Sequence, residues 1–216
     1  MKLYNANLSP YSARVRLQIY AKGLKAEFLP PPGGGVHTPE FAKINPLERL
    51  PALDDGGFII PESGAIVEYI EDAHPGTALR PADIKERARM RVLYDIADLY
   101  ILPTLFRLFN QVNPAARDEN IVDTALTELA QSLKGLDHYI SGGKYALGST
   151  LTLADCALVP ALFFVGALGP AFGQGDLMSA TPKVKAYFAA VQGDANVAKI
   201  VKELGDALAE RLKSGR

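Results

Sequence analysis

Length, composition and charge limit the class of protein before any motif is considered. The chain has 216 residues, of which 48% are hydrophobic and 22% charged, and its formal net charge is -1. That composition supports a real core in one domain or two. The net charge indicates no basic surface of the kind that binds nucleic acid. No uninterrupted apolar run approaches the ~20 residues that a membrane-spanning helix needs. The single cysteine, Cys156, excludes an internal disulfide. We therefore predict a soluble, cytoplasmic protein with no nucleic-acid or membrane partner.

The first part of the chain mixes predicted strands and helices. Apolar residues recur with helical spacing among arginines and lysines after Ser12, which predicts an amphipathic helix that ends at Gly23. In chain order the predicted elements are a strand at 2–5, a helix at 12–23, a strand at 27–29, a short helix at 41–45, strands at 51–53 and 58–60, and a helix from 63 to about 73. The order is βαβ and then ββα.

Pro51 opens the first strand of the hairpin. Proline cannot donate to a sheet ladder, so it belongs at the first residue or the edge of a strand, and an X-Pro bond is the one linkage where cis is affordable. A cis Leu50–Pro51 bond would turn the Leu50 N–H and C=O out of the sheet, toward an extended peptide ligand. Shortly afterwards, Ser63 offers a hydroxyl and a free N–H at the positive end of a helix, which suits a carboxylate. Together these features predict a site for a small peptide.

The rest of the chain reads as helical. The predicted helices there span 86–111, 120–140, 153–167, 184–191 and 195–212. We therefore predict an α/β domain over residues 1–78, a linker at 79–85, and an all-helical domain over 86–216. Within that second domain, Thr152 and Asp155 have the spacing of a capping box, which we interpret as a folding signal with no chemistry. Cys156 beside them is predicted to be a small buried hydrophobe.

Several motifs, in this order and spacing, resemble those of the cytosolic glutathione transferase superfamily. They are the segment SPYSARVR at 9–16, Asn45-Pro46, Pro51-Ala52-Leu53, ESGAI at 62–66 and the box at 152–155. The resemblance implies a thioredoxin-like N-terminal domain, an all-helical C-terminal domain, a homodimer and a role in detoxification.

The resemblance leaves the subclass open among three that use a serine beside the glutathione sulfur. Ser9-Pro10-Tyr11 is similar to the start of the tau class, the Ser-x-x-Ser-x-Arg-Val-Arg pattern to the zeta class, and the HTPEF segment at 37–41 to the phi class. The zeta-class isomerases carry Ser-Ser-Cys where this chain has Ser9, Pro10 and Tyr11, which is a departure from a maleylacetoacetate isomerase.

The resemblance implies that a serine hydroxyl ionises the glutathione thiol. That thiol, like free cysteine, has a pKa near ~8.5, whereas attack on an electrophile needs the thiolate. A hydroxyl that donates to the sulfur at the positive end of a helix favours the charged form. Ser9, just before the first helix, is the predicted catalytic residue. Ser12, one turn on, is the alternative, because it could cap the helix, support Ser9 or replace it.

The binding residues are predicted from the groups that glutathione presents. We expect Ser63 to bind the γ-glutamyl carboxylate and Glu62 to bind the α-amino group. The Leu50 main chain, beside Pro51, would pair with the cysteinyl unit.

Two cationic residues are candidates to bind the glycyl carboxylate. Arg49 stands where relatives often carry Lys or Gln, and His37 matches the phi-class histidine.

The electrophile is expected in an apolar pocket, for which Tyr11, Tyr94 and Asp98 are weaker candidate residues. The substrate itself is not readable from them.

The predicted function is that of a glutathione transferase, with glutathione as co-substrate and no metal, since the three histidines have no paired ligand spacing. A glutathione-dependent isomerase of the maleylacetoacetate or maleylpyruvate type, a dehalogenase or an ether-cleaving lyase would use the same serine. The third alternative is a binding protein that keeps the fold and has lost catalysis.

Overall fold

A computed structural model describes residues 1–214 of the chain. The chain divides into two compact units, Met1–Leu79 with the C-terminal helix, and Arg80–Asp194. Within residues 1–214 the helices are α1 (Pro10–Ala21), α2 (Pro39–Ala42), α3 (Ser63–Ala73), α4 (Ile84–Asp95), α5 (Leu102–Phe109), α6 (Glu119–Tyr139), α7 (Leu153–Leu168), α8 (Pro182–Val191) and α9 (Ala195–Ser214). Helix α9, which the sequence analysis places at the end of the helical domain, clusters with the first unit.

The first unit is built on a four-stranded sheet in the order β2-β1-β3-β4. Its strands are β1 (Lys2–Tyr4), β2 (Glu27–Leu29), β3 (Ala52–Asp55) and β4 (Phe58–Pro61). Strand β1 runs parallel to β2 and antiparallel to β3, which is antiparallel to β4. The βαβ-ββα order predicted from the sequence is confirmed. Strand β3 begins one residue after Pro51, which has no N–H to offer the ladder.

Helices α1 and α2 begin earlier than the sequence analysis expects, and the reason is the same for both. The Ser9 side chain caps α1 by accepting the Ser12 N–H at 3.2 Å, so Pro10 becomes the first helical residue. Thr38 caps α2 in the same way, ahead of Pro39. A proline at the first helical position loses nothing, because that N–H has no partner inside the helix.

The amphipathic character predicted for α1 is wrong. Its middle is buried on every side, from Ser12 to Ile19, and Arg14 and Arg16 are only 0% and 1% exposed. Helix α1 contacts both α3 and α9, so no face is left for solvent. The two arginines therefore need fixed partners inside the unit, since a buried charge without one is costly.

The second unit is helical, with one interruption that the sequence analysis missed. The segment predicted as a single helix over 86–111 is observed as α4, a π-helical turn over Ile96–Ile101, and α5. Pro103, the second residue of α5, has no N–H to donate to the preceding turn. A wider turn immediately before a proline is consistent with that missing bond.

Helix α7 forms the core of the second unit. By length and composition Leu153–Phe172, with a mean hydropathy of 1.7, could cross a membrane, so the expectation that no apolar run approaches a span is wrong. However, 78% of that window is buried inside the protein, as expected for the core helix of a folded domain. Cys156 is wholly buried in this helix, which confirms the prediction from its neighbours.

The capping box at the start of α7 is confirmed, and it extends beyond a cap. The wholly buried Asp155 carboxylate accepts the Thr152 N–H at 2.7 Å and the Thr152 hydroxyl at 2.9 Å. It also accepts the Ala146 N–H at 2.8 Å and the Tyr187 hydroxyl at 3.0 Å. Burial raises the pKa of Asp155, and these four donors oppose that rise. One side chain thereby joins α7, α8 and the loop before α7.

Candidate active site

The sheet register brings three predicted site segments to one edge of the first unit. Tyr4, the last residue of β1, pairs with Ala52, the first of β3, and Ala52 pairs with Pro61, the last of β4. The chain leaves β1 toward Ser9, enters β3 from Leu50–Pro51, and leaves β4 into Glu62-Ser63. These segments, far apart in the sequence, therefore meet at one edge. The Leu50–Pro51 peptide bond is cis.

Ser9 has the geometry of a hydroxyl that can donate to a ligand. It is half-buried, its oxygen accepts the Ser12 N–H, and within residues 1–214 its own proton has no acceptor. Ser12 differs, because it is 0% exposed and its hydroxyl oxygen lies 3.4 Å from the Ala6 nitrogen, from which it accepts a hydrogen bond. Ser9 is therefore the more accessible of the two hydroxyls, whereas the Ser12 hydroxyl is engaged by the loop at Ala6.

Ser63 is braced by an arginine to which the sequence analysis gave no role. Arg14 Nη1 donates to the Ser63 Oγ at 3.3 Å, and its guanidinium lies 5.0 Å from the centroid of the Tyr11 ring. Since the Ser63 oxygen accepts from Arg14, the Ser63 proton remains able to donate. A buried positive charge behind a donor at a helix N-terminus suits an anion. The signal was present in the SxxSxRVR pattern, but the amphipathic interpretation of this helix gave its arginines no role of their own.

Glu62 combines an exposed carboxylate with an unusual backbone. Its φ is +65° and its ψ 112°, a sparsely populated conformation that costs a non-glycine residue roughly 1–3 kcal/mol. Among the residues that the structure describes, its carboxylate makes no hydrogen bond or ion pair. Backbone strain of this kind concentrates at binding sites, where the geometry serves the ligand.

The two predicted cations flank helix α2, with His37 before it and Arg49 in the loop that leads from it to Leu50. Asn45, 1% exposed, fixes that loop by donating from Nδ2 to the Arg49 carbonyl at 2.8 Å and accepting the Leu47 N–H at 3.0 Å. The Arg49 side chain is exposed. His37 Nδ1 lies 2.6 Å from Glu48 Oε2, in an exposed pair. A ligand carboxylate at His37 would therefore meet the Glu48 carboxylate as well. Asn45 was noted in the sequence only as part of a motif, without this role.

The predicted electrophile residues are distributed over the two units. Tyr11 is the second residue of α1 and is half-buried in the first unit. Tyr94 lies on α4 and Asp98 in the π-helical turn, both half-buried in the second unit. Their membership of one apolar pocket stays a prediction.

Comparison with known proteins identifies the family. Residues 3–78 match the family model of the glutathione S-transferase N-terminal domain, and residues 96–193 match that of its C-terminal domain. Glutathione S-transferase 3 of Zea mays is 34% identical over 202 residues, which cover 88% of each chain. Maleylacetoacetate isomerase of Mus musculus is 31% identical over 166 residues, 73% of this chain and 74% of its own. A solved maleyl pyruvate isomerase, a bacterial zeta-class glutathione S-transferase, matches with a TM-score of 0.77 and 29% identity over 93% of this chain and 96% of that one.

The chain belongs to the glutathione S-transferase family. It is a glutathione transferase with a thioredoxin-like N-terminal domain around the four-stranded sheet, followed by a helical domain. Within the family it is zeta-like. These findings confirm the resemblance drawn from the motifs. Helix α9 lies after both matched segments.

Proposed function

We propose that Ser9 holds the sulfur of bound glutathione as a thiolate, poised for attack on an electrophile. The observation that carries the proposal is the hydrogen-bonding state of Ser9. Its oxygen accepts the Ser12 N–H at 3.2 Å, which leaves the Ser9 proton to be donated to the sulfur. Ser9 also stands at the positive end of α1, which has 12 residues.

The energies are sufficient for this role. Lowering the thiol pKa by two units from ~8.5 requires about 2.7 kcal/mol of differential stabilisation. A hydrogen bond to a charged group contributes about 1.5–3 kcal/mol, and a helix N-terminus about 0.3–1 kcal/mol. One hydroxyl and one helix end therefore supply what the chemistry needs.

The remaining groups of glutathione have partners at the same edge of the sheet. We propose that Ser63, braced by Arg14, binds the γ-glutamyl carboxylate, and that Glu62 binds the α-amino group. The Leu50 main chain beside Pro51 would pair with the cysteinyl unit.

For the glycyl carboxylate, we propose Arg49 ahead of His37. The Arg49 side chain is exposed on a loop that Asn45 fixes, whereas His37 already faces the Glu48 carboxylate. His37 would serve as the secondary cation.

The thiolate supports two outcomes that differ in the steps after C–S bond formation. In conjugation it adds to an apolar electrophile, or displaces a leaving group that departs with the electron pair. In isomerisation it adds to one carbon of a cis double bond, the resulting single bond rotates, and elimination releases the same thiolate with the bond now trans. Maleylacetoacetate and maleylpyruvate are the substrates in the names of two relatives, which supports isomerisation as the second candidate. A dehalogenase or lyase outcome has no comparable support.

Matched serine variants test the proposal. Ser9→Ala is expected to reduce turnover of a generic aryl halide at least ~10-fold with a much smaller change in glutathione affinity, since one charge-assisted hydrogen bond is lost in the reactive state. Ser12→Ala is the comparison. A large loss with Ser12→Ala and none with Ser9→Ala would reverse the assignment. Assays of thiol-dependent isomerisation of maleylpyruvate separate the two outcomes. Folded protein that passes unretained through a glutathione column would favour a binding module without catalysis.

We further propose that the protein is a cytoplasmic homodimer. Large apolar side chains are exposed on each unit, among them Leu99 (61%) and Tyr100 (58%) beside α4 and Phe58 (60%) on β4. Sedimentation equilibrium should give twice the 23.2 kDa chain mass. A mass of one chain at micromolar concentration would contradict this.

A further inference from the structure

The segment that carries Ser9 is held from behind by a buried arginine. Arg16, 1% exposed, donates to the Asn5 side chain at 2.7 Å and to the carbonyls of Ala6 and Asn7 at 3.2 and 3.0 Å. The Ala6 carbonyl also accepts the Ser9 N–H at 3.1 Å. Arg16 therefore fixes the segment between β1 and Ser9 at three successive residues.

The same guanidinium is held on its other side by the C-terminal helix. Arg16 Nε donates to Glu203 Oε2 at 3.1 Å, and Glu203 Oε1 accepts the Tyr20 hydroxyl at 2.9 Å. The Lys199 ammonium lies 3.5 Å from the centroid of the Tyr20 ring. Burial lowers the pKa of Arg16, and the Glu203 carboxylate opposes that shift. Glu203 thus keeps the charge of a buried arginine compensated.

We propose that Glu203 and Arg16 are positioning residues for thiolate formation, by which α9 sets the place of the Ser9 hydroxyl. This inference rests on the proposed function of Ser9. The chain of contacts is continuous: Glu203 orients Arg16, and Arg16 fixes residues 5–7. The Ala6 carbonyl then holds the Ser9 N–H. Neither side chain is assigned a contact with glutathione.

Loss of the Glu203–Arg16 contact is expected to make the position of the Ser9 hydroxyl less well fixed, while the glutathione site itself persists. A hydrogen bond to sulfur weakens steeply with distance and angle, so a shift well below 1 Å reduces thiolate stabilisation. The γ-glutamyl contacts at Ser63 and Glu62 come from another part of the sheet edge and should persist. Thiol ionisation should therefore suffer more than glutathione affinity.

The test compares two carboxylates on α9. Glu203→Ala removes the partner of Arg16, whereas Asp206→Asn breaks an exposed ion pair with Lys202 on the same helix. The readout is the pKa of bound glutathione, titrated by the ultraviolet absorbance of the thiolate, with affinity measured by calorimetry. Glu203→Ala should raise that pKa by about half to one unit, which lowers the ratio of thiolate to thiol ~3–10-fold. Asp206→Asn should leave it unchanged.

Milder variants keep the test decisive should Glu203→Ala fail to fold. Glu203→Gln keeps an oxygen for Arg16 without the charge, and Tyr20→Phe removes one hydrogen bond from Glu203. Both should raise the thiol pKa by less than the alanine variant does. A lower melting temperature with an unchanged thiol pKa would mean that Glu203 is only structural, and would overturn this inference alone. A wild-type protein that binds glutathione without ionising it would overturn the proposed function as well.

Discussion

Replacement of Asp155 should destabilise the protein severely, although the residue touches no part of the candidate active site. In Asp155→Ala, the N–H groups of Ala146 and Thr152 and the hydroxyls of Thr152 and Tyr187 lose their acceptor in a wholly buried place. Each buried donor without a partner costs about 1–3 kcal/mol, and partial relaxation brings the expected total to about 3–5 kcal/mol. Asp155→Asn keeps one oxygen and should cost about 1–3 kcal/mol, because its amide faces donors on the other side.

Urea denaturation followed by circular dichroism measures this loss. The urea concentration at the unfolding midpoint should fall. The slope of unfolding free energy against urea concentration should change little, since a change in stability alone leaves it intact. Asp206→Asn, on the exposed face of α9, is the matched control and should change stability by less than ~0.5 kcal/mol. An Asp155→Ala variant within ~1 kcal/mol of wild type would refute the reasoning, because four buried donors would then have found other partners.

Three further predictions concern the first unit. The Tyr69 hydroxyl bond lowers the pKa of Asp55, so Asp55 stabilises the fold above its unfolded value of ~3.9 and loses that effect as pH falls through the folded value. Tyr69→Phe should therefore lower the urea midpoint at pH 7 and lower it by less near pH ~3. An equal shift of the midpoint at both pH values would contradict this. Glu62→Gly should weaken glutathione binding by calorimetry yet leave stability within ~1 kcal/mol of wild type, because glycine tolerates the positive φ; unchanged affinity would remove Glu62 from the site. Glu48→Gln should leave glutathione affinity within about twofold of wild type, because Arg49 is the proposed cation and Glu48 faces His37; binding that is several-fold stronger would place the glycyl carboxylate at His37 instead.

Most of the fold could be predicted from the sequence, because the residues that mark turns and helix ends act locally. Proline and glycine marked the turns, and helix α3 was predicted with the bounds Ser63–Ala73 that the structure shows. The predicted start of α1 at Ser12 is too late, because Ser9 caps the helix and Pro10 is its first residue. The π-helical turn depends on backbone hydrogen bonds around Pro103, which periodicity does not reveal.

The residues proposed to contact glutathione could be predicted from the sequence, whereas the buried residues that hold them in place could not. Ser9 and Glu62, both expected to contact glutathione, carry half-buried or exposed groups with recognisable chemistry. Arg14 and Arg16 support them from inside, and charged residues in a helical pattern are normally solvated. The burial of Arg16 depends on α9, which packs on α1 from far along the sequence and supplies Glu203 as its partner. No local pattern encodes that contact.

The most direct test of the account is the ionisation of glutathione in its complex with Ser9→Ala. In the wild-type complex, the thiolate absorbance should appear with a midpoint about two pH units below the ~8.5 of the free thiol. In Ser9→Ala it should return to within about half a unit of the free value, with glutathione still bound. A midpoint in the variant equal to that of the wild type would show that another group ionises the thiol, and would contradict the central claim.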